Sequence, residues 1–384
     1  MPTRIRILCV VDNLEVGGVR EVVVTQLHSL DPDRFEIGLL TLADDHERAR
    51  DLLPSSVARL GVSYRAEYGY GVIDYLSDAW LLRAARTFGA PALHAIERFD
   101  PHILHFHTNP RELGLGILSK RRMPVTLVFT DHLVRVRPTD YSFAARLLLR
   151  VAYRRLYRQC HVISVGSSVA RFNRYAGFLN PSRIHLLLEN QIDLRTFHPP
   201  AGEACDRPLT IIYVGRIHPV KGVDTLIRAF AQLRVHEPVR LVVVGPDAMG
   251  GAMQELADRV VSRPLEAHFA GARTDVPSLL RNASIGVLPS RREGLSLALL
   301  EQMASCLAVV VSDIPELTDI VSDGVDGLVV PVDDAVALAG ALQRLVEDRQ
   351  LRSRLGRAAR AAVERRENVD VDQQLARFYD TIAR

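Results

Sequence analysis

The feature that most limits the fold of this chain is the way its short β-branched runs end. LTIIYVG (209–215), RLVVVG (240–245), AHFAG (267–271), SIGVLPS (284–290), AVVVSD (308–313) and GLVVP (327–331) all close on Gly, Pro, Ser or Asp, and helical patterns lie between them. Strands of a parallel sheet end this way where loops gather at the carboxyl edge, so the alternation predicts α/β architecture. An earlier series has the same rhythm: RIRILCVVD (4–12), the helical GGVREVVVTQLHSL (17–30), FEIGLLTL (35–42), HILHFHT (102–108), VTLVFTD (125–131) and HVISVG (161–166). Between the series, ENQIDLRTFHPPAGEACDRP (189–208) holds three prolines and little periodicity, which reads as a linker. The expected fold is two doubly wound, Rossmann-like domains, residues 1–188 and 209–366, facing a central cleft. Residues 367–384 form an amphipathic helix whose stripe of Leu375, Phe378, Tyr379 and Ile382 needs a surface, with the first domain as the candidate.

Length agrees with two domains, since 384 residues exceed what one core usually organises. The apolar runs fall short of the roughly 20 residues of a spanning helix, and the N-terminus leads straight into a strand, so it is read as mature structure. Cys9, Cys160, Cys205 and Cys306 lie far apart without metal-ligand spacing. A reducing cytoplasm is the expected location, with docking at the inner face of the membrane as a further expectation. The net charge of +3 hides an asymmetry: from Arg111 to Arg183, fourteen Arg and Lys face three acids, +11, which leaves −8 elsewhere. Such an excess suits an anionic membrane surface, at about 1 kcal/mol per basic residue near it; solvated arginines on ordinary helices explain it equally well. No nucleic-acid partner is expected.

Ligands of open α/β sheets bind outside the carboxyl ends of the strands, and four stretches there could carry chemistry. Gly17 and Gly18 open a helix after the first strand, where free amides favour an anion, although a tight turn alone would use the same residues. In VGRIHPVKGVDTLIRAF (214–230), Arg216 and Lys221 stand five residues apart beside a helix start, suited to a diphosphate; solvent-facing cations are the plain alternative. In SRREGLSLALLEQMAS (290–305), Glu293 precedes Gly294, and Leu295 and Ser296 lead into a helix that carries Glu301. Glu293 is placed for sugar hydroxyls and Glu301 for a ribose, or Glu301 lies on an exposed stripe. His105 and His107 share one face of a strand, and His107 is nearer its end; a structural histidine is the alternative there.

Taken in order, these segments resemble the retaining GT-B glycosyltransferases of family 4, the glycosyl transferases group 1. EGLSLALLEQMA is similar to that family's EGxxxxxLEAMA signature, VGRIHPVKGVDTLIRAFAQL to VGRLxxxKGxDxLIxAF, and ENQIDLRTFHPP to PNGIDxxxFxP. FAGARTDVPSLLRNASIGVLPS and DGVDGLVVPVDDAVALAGAL extend the likeness over the second domain, while the first offers only GGVRE, HFH and VGSS. The resemblance implies sugar transfer from a nucleotide-diphosphate donor, a UDP-sugar before others, to a lipid-linked or oligosaccharide acceptor, with retained configuration. It implies that Arg216 and Lys221 hold the diphosphate, Glu293 the donor sugar and Glu301 the ribose, with Gly294, Leu295 and Ser296 lining the donor. His107 would stand by the donor sugar and Gly17 and Gly18 by the phosphates. No cofactor and no metal are expected, because DPD (31–33) and DVD (370–372) sit in a turn and at the tail. The chain departs from the pattern at Glu189, Gln191 and Arg20, and SDIPELTDIV lacks the usual Gly-Gly before its acid, Asp319 standing in.

The expected function is assembly of a surface polysaccharide or glycolipid. Alternatives are a natural-product or small-metabolite glycosyltransferase, a nucleotide-sugar epimerase, and a non-catalytic nucleotide-sugar-binding protein. Lys221→Ala or Glu293→Ala is expected to abolish turnover while leaving the thermal transition nearly unchanged.

Overall fold

In a computed structural model, residues 4–11, 14, 18–42, 52–61, 90–107, 113–120, 122–132, 151, 154–155, 157–200, 209–366 and 370–383 are described. The chain divides into two compact units, Met1–Asn190 with Asp370–Arg384, and Gln191–Val369.

In the first unit the elements are β1 (Ile5–Val11), α1 (Gly18–Ser29), β2 (Phe35–Thr41), β3 (Ala58–Gly61), β4 (Ile103–Phe106), α2 (Leu113–Lys120), β5 (Thr126–Asp131), β6 (His161–Ser164), α3 (Ser167–Tyr175) and β7 (His185–Leu187). Their sheet runs β3-β2-β1-β4-β5-β6-β7, every pair parallel. The described residues of β1, β4, β5 and β6 are almost wholly buried, as central strands covered on both faces must be. β3 and β7, of four and three residues, lie at the edges and carry no long β-branched run, which is why sequence patterning passes over them.

The second unit contains β8 (Leu209–Val214), α4 (Val223–Phe230), β9 (Val239–Val244), α5 (Ala252–Val260), β10 (Leu265–Gly271), α6 (Val276–Arg281), β11 (Ile285–Leu288), α7 (Leu297–Ala304), β12 (Ala308–Ser312), α8 (Pro315–Thr318), β13 (Leu328–Val330), α9 (Ala335–Glu347) and α10 (Arg349–Arg366). Its sheet is again all parallel, in the order β10-β9-β8-β11-β12-β13. In α4, Val223, Leu226, Ile227 and Phe230 recur at helical spacing and are all buried against Ile211, Tyr213 and Leu241.

The stretch expected to be a plain linker does more than connect. Ile192 is buried among Leu288, Leu299 and Met303, with Leu194 and Phe197 packed beside it, and Arg360 donates to the Phe197 carbonyl at 2.7 Å. The final helix, α11 (Val371–Ile382), belongs to the first unit: Leu375, Phe378, Tyr379 and Ile382 are buried with Ile7, Phe35, Val128 and Ile163. Among the described residues no helix is long and apolar enough to cross a membrane. Much of the basic stretch from Arg111 to Arg183, including residues 133–150, lies outside the described residues.

Residue 302, not 301, is the buried polar position of α7. Glu301 is half-buried, whereas Gln302 is fully buried, with no hydrogen-bond partner for either amide atom among the described residues. Gly286 makes room for it, since a Cβ there would stand 2.1 Å from Gln302 Oε1. An unpaired buried amide costs roughly 1–3 kcal/mol, so Gln302→Met, which keeps the shape, is expected to raise the melting temperature by several degrees, at about 2–4 °C per kcal/mol. Calorimetric melting checks this, and a fall in midpoint would show that the amide is paired.

Candidate functional site

In each sheet the strand order reverses once, between β1 and β4 in the first unit and between β8 and β11 in the second. Such switch points open a crevice at the carboxyl ends, where ligands of this architecture bind. The candidate residues fall there. Arg216 follows β8 by two residues, Glu293 lies in the loop after β11, and His107 is the first residue beyond β4. Gly18 is the exposed first residue of α1, which follows β1, and Gly17 lies outside the described residues.

The second unit's switch point is the better furnished. After β8 the chain bends through Gly215 and Arg216, held by the Tyr213 hydroxyl, which donates to the Arg216 carbonyl at 2.9 Å. A single 3-10 turn, Pro219–Lys221, follows, and Gly222 ends it in the left-handed region (φ 66°). A Cβ on Gly222 would stand 2.0 Å from the Pro289 carbonyl oxygen, so only glycine lets this turn press on the loop after β11. That approach brings Lys221 to Glu293: the ammonium donates to Oε1 at 2.6 Å, and the Ser290 hydroxyl donates to the same oxygen, also at 2.6 Å. Glu293 is 5% exposed.

Positive charge concentrates here. Burial, together with the cations of Arg216, Lys221 and Arg292, holds the His218 imidazole below its usual range. Burial and the Glu293 carboxylate push the Tyr213 phenol up, so it stays a neutral donor. Arg216 is exposed and has no ion pair among the described residues. Gly294 and Leu295 are half-buried, and Ser296 is the buried N-cap residue of α7, its side chain making no capping bond. Glu301 lies one turn into α7. The arrangement offers cations and a helix start to a multiply charged anion, and a carboxylate to neighbouring hydroxyls.

Sequence reading passed over Ser290, Asp224 and Arg291. Ser290 was visible as the hydroxyl residue three before Glu293. Nothing local separates Arg291 from Arg292, or assigns Asp224 a partner 67 residues away.

In the first unit, His107 is 1% exposed, and its Nδ1 is buried without a partner among the described residues. Its ring lies 4.0 Å, centroid to centroid, from that of His105. His105 places Nδ1 2.6 Å from the Tyr379 hydroxyl of α11 and Nε2 2.6 Å from the Thr130 hydroxyl. Cys9, paired with His105 across β1 and β4, completes a group whose possible ligand atoms lie within 4.8 Å of one another, a proximity that sequence spacing does not reveal. Both His105 nitrogens serve hydroxyls, and burial pushes the Cys9 thiol up to about 12.

Burial lowers the His107 pKa from 6.5 to about 3, so its neutral form is favoured in the folded chain. Between those values the unfolded chain takes up a proton that the folded chain refuses. The stability from this site is therefore full above about pH 6.5 and is lost as pH falls. His107→Asn is expected to move acid unfolding, followed by circular dichroism, to lower pH; an unchanged curve would contradict the shift.

Two parallel, doubly wound units with loops converging at their switch points, one of them carrying a cation and carboxylate site, define the GT-B class of Rossmann-like enzymes. The Glycosyl transferases group 1 family matches residues 195–362. The chain is 30% identical to the lipopolysaccharide core biosynthesis mannosyltransferase LpcC of Rhizobium leguminosarum bv. viciae, over 77% of this chain and 81% of that one. It is 26% identical to the phosphatidyl-myo-inositol mannosyltransferase of Mycolicibacterium smegmatis, over 96% and 91%. Among solved structures, HepE of Anabaena in complex with UDP and glucose superposes with a TM-score of 0.75 at 19% identity, covering 98% of this chain and 100% of that one. The sucrose-phosphate synthase of Thermosynechococcus elongatus gives 0.76 at 19%, covering 99% of each chain. The chain belongs to the group 1 glycosyltransferase family.

Proposed function

We propose that this glycosyltransferase moves a sugar from a nucleotide-diphosphate donor, with a UDP-sugar the first candidate, to an acceptor hydroxyl of a glycolipid or surface polysaccharide precursor, with retention and without a metal. The observation that carries this is Lys221 held 2.6 Å from Glu293, beside Arg216, at the carboxyl edge of β8 and β11. As the glycosidic bond breaks, negative charge grows on the departing diphosphate. Fixed cations then stabilise the transition state more than the ground state. In this reading Arg216 and Lys221 take the diphosphate, Glu293 the donor-sugar hydroxyls and Glu301 the ribose. Gly294, Leu295 and Ser296 line the donor. Support for the donor comes from HepE, solved with UDP and glucose. Support for a lipid acceptor comes from relatives named as phosphatidyl-myo-inositol and diphospho-undecaprenol transferases.

The test is incubation with UDP-, GDP- and dTDP-sugars, with and without a bacterial lipid extract. Free nucleotide that appears only with the extract supports transfer to lipid. An altered sugar released without acceptor would point to an epimerase instead. Docking to the membrane through the basic stretch predicts co-sedimentation with anionic vesicles at low salt, and loss of it at high salt.

A further inference from the structure

We propose that Arg291 is a positioning residue for the donor diphosphate: it staples the turn that carries Lys221 to the loop that carries Glu293. This rests on the reading of Lys221 as a diphosphate contact. The staple has a backbone part and a side-chain part. The Arg291 amide donates to the Val220 carbonyl at 2.8 Å, inside the 3-10 turn. Its guanidinium forks onto both oxygens of Asp224 at 3.0 and 2.9 Å, donates from Nε to Asp333 at 2.7 Å, and also reaches the Pro219 carbonyl. One side chain thus grips the turn just before Lys221, the first turn of α4 just after it, and the loop between β13 and α9.

Lys221 itself sits on a flexible four-carbon stem, so the place of its ammonium depends on how firmly the turn beneath it is held. Within the turn, the support is the His218 side chain accepting from the Val220 amide at 3.3 Å, and the Lys221 amide bonded to the His218 carbonyl. Besides the Lys221–Glu293 pair itself, Arg291 and the approach of Gly222 to Pro289 make contacts across to the second loop. A lysine at 291 keeps the charge but offers no planar fork, so it cannot satisfy Asp224 in two directions while serving Asp333 and a carbonyl. Arg292, next along the chain, is one of the cations that depress His218 at the start of the same turn.

The experiment is titration calorimetry of the full chain with UDP and GDP as probes. It covers the wild type, Arg291→Lys, Lys221→Met and the double variant, with melting curves as the folding control. Arg291→Lys is expected to weaken the better-bound diphosphate roughly tenfold, the order of one charge-assisted contact. In the Lys221→Met background the same change is expected to cost less than about twofold, because residues acting through one another are not additive. Equal losses in both backgrounds would make Arg291 a general support and overturn the proposal, as would wild-type affinity in Arg291→Lys. If Arg291→Lys does not fold, Asp224→Asn opens the staple from its other end and the same cycle is run; failure of both to fold assigns Arg291 to stability and also overturns it. A wild type that binds neither probe removes the diphosphate reading itself, a result distinct from binding that ignores residue 291.

Discussion

Glu293→Gln is expected to lower the rate of sugar transfer on the order of 100- to 1,000-fold, the usual cost of losing one preorganised polar group, while the melting temperature changes little. Gln keeps the shape, and one amide oxygen can still accept from Lys221 and from Ser290, both now 2.6 Å away. What disappears is the charge that orients the ammonium and binds hydroxyls. For Lys221→Ala the side-chain burial changes the expected outcome from the one based on sequence. The Glu293 side chain is 6% exposed and that of Lys221 22%, so removing the lysine strands a buried carboxylate with the Ser290 hydroxyl. Stranding a buried charge costs roughly 3–5 kcal/mol, so Lys221→Ala loses stability along with turnover, and Lys221→Ala/Glu293→Gln recovers much of the stability but none of the turnover. Transfer rates with the donor found in the panel, read beside melting curves, check both. Full activity in Glu293→Gln would place the sugar elsewhere.

Deleting residues 370–384 is expected to unfold the first unit. Leu375, Phe378, Tyr379 and Ile382 leave at most 7% of their surface exposed and contribute about 1.5–3 kcal/mol each by burial. Together they rival the whole stability of a typical domain, roughly 5–15 kcal/mol. The loss also uncovers Ile7, Val128 and Ile163, and leaves His105 without its bond to Tyr379. The truncated chain should aggregate on purification, or lose the protected amides of β1, β4 and β5 in hydrogen exchange. A soluble truncated chain with an unaltered melting profile would show that the helix adds nothing to that core. The milder Tyr379→Phe should keep the fold and change the environment of His105, visible as a shift of its imidazole resonances.

Much of the architecture can be read from pattern because a strand buried on both faces must be apolar along its whole length, and β8, β9, β11 and β12 satisfy that almost without interruption. The edge strands β3 and β7 escape notice for the opposite reason, being short and partly exposed. Arg216 and His107 stand out because polar residues directly after such runs have to lie at the carboxyl edge, and Lys221 and Glu293 because they stand in the segments that lead from that edge into the next helix. Glu301 and Gln302 show the limit: each is a polar residue in an apolar helix, and a phase difference of 100° decides which one faces the core. Local periodicity in an eight-residue helix does not fix that phase.

The amino-acid sequence on its own determined the two-part α/β build, the helical stripe of the tail and the chemical types gathered at the ends of the strands, since each follows from interactions between residues close along the chain. Only the tertiary structure decided who meets whom. Lys221 reaches Glu293 across 72 residues because β11 lies beside β8 in the sheet, and Gly222 lets the two loops touch. Arg291 turns toward Asp224 and Asp333, and Tyr379 closes on His105 from the far end of the chain. Strand order and the direction of an individual side chain depend on long-range packing and on the pairing of buried charges, and neither leaves a local periodicity to be read.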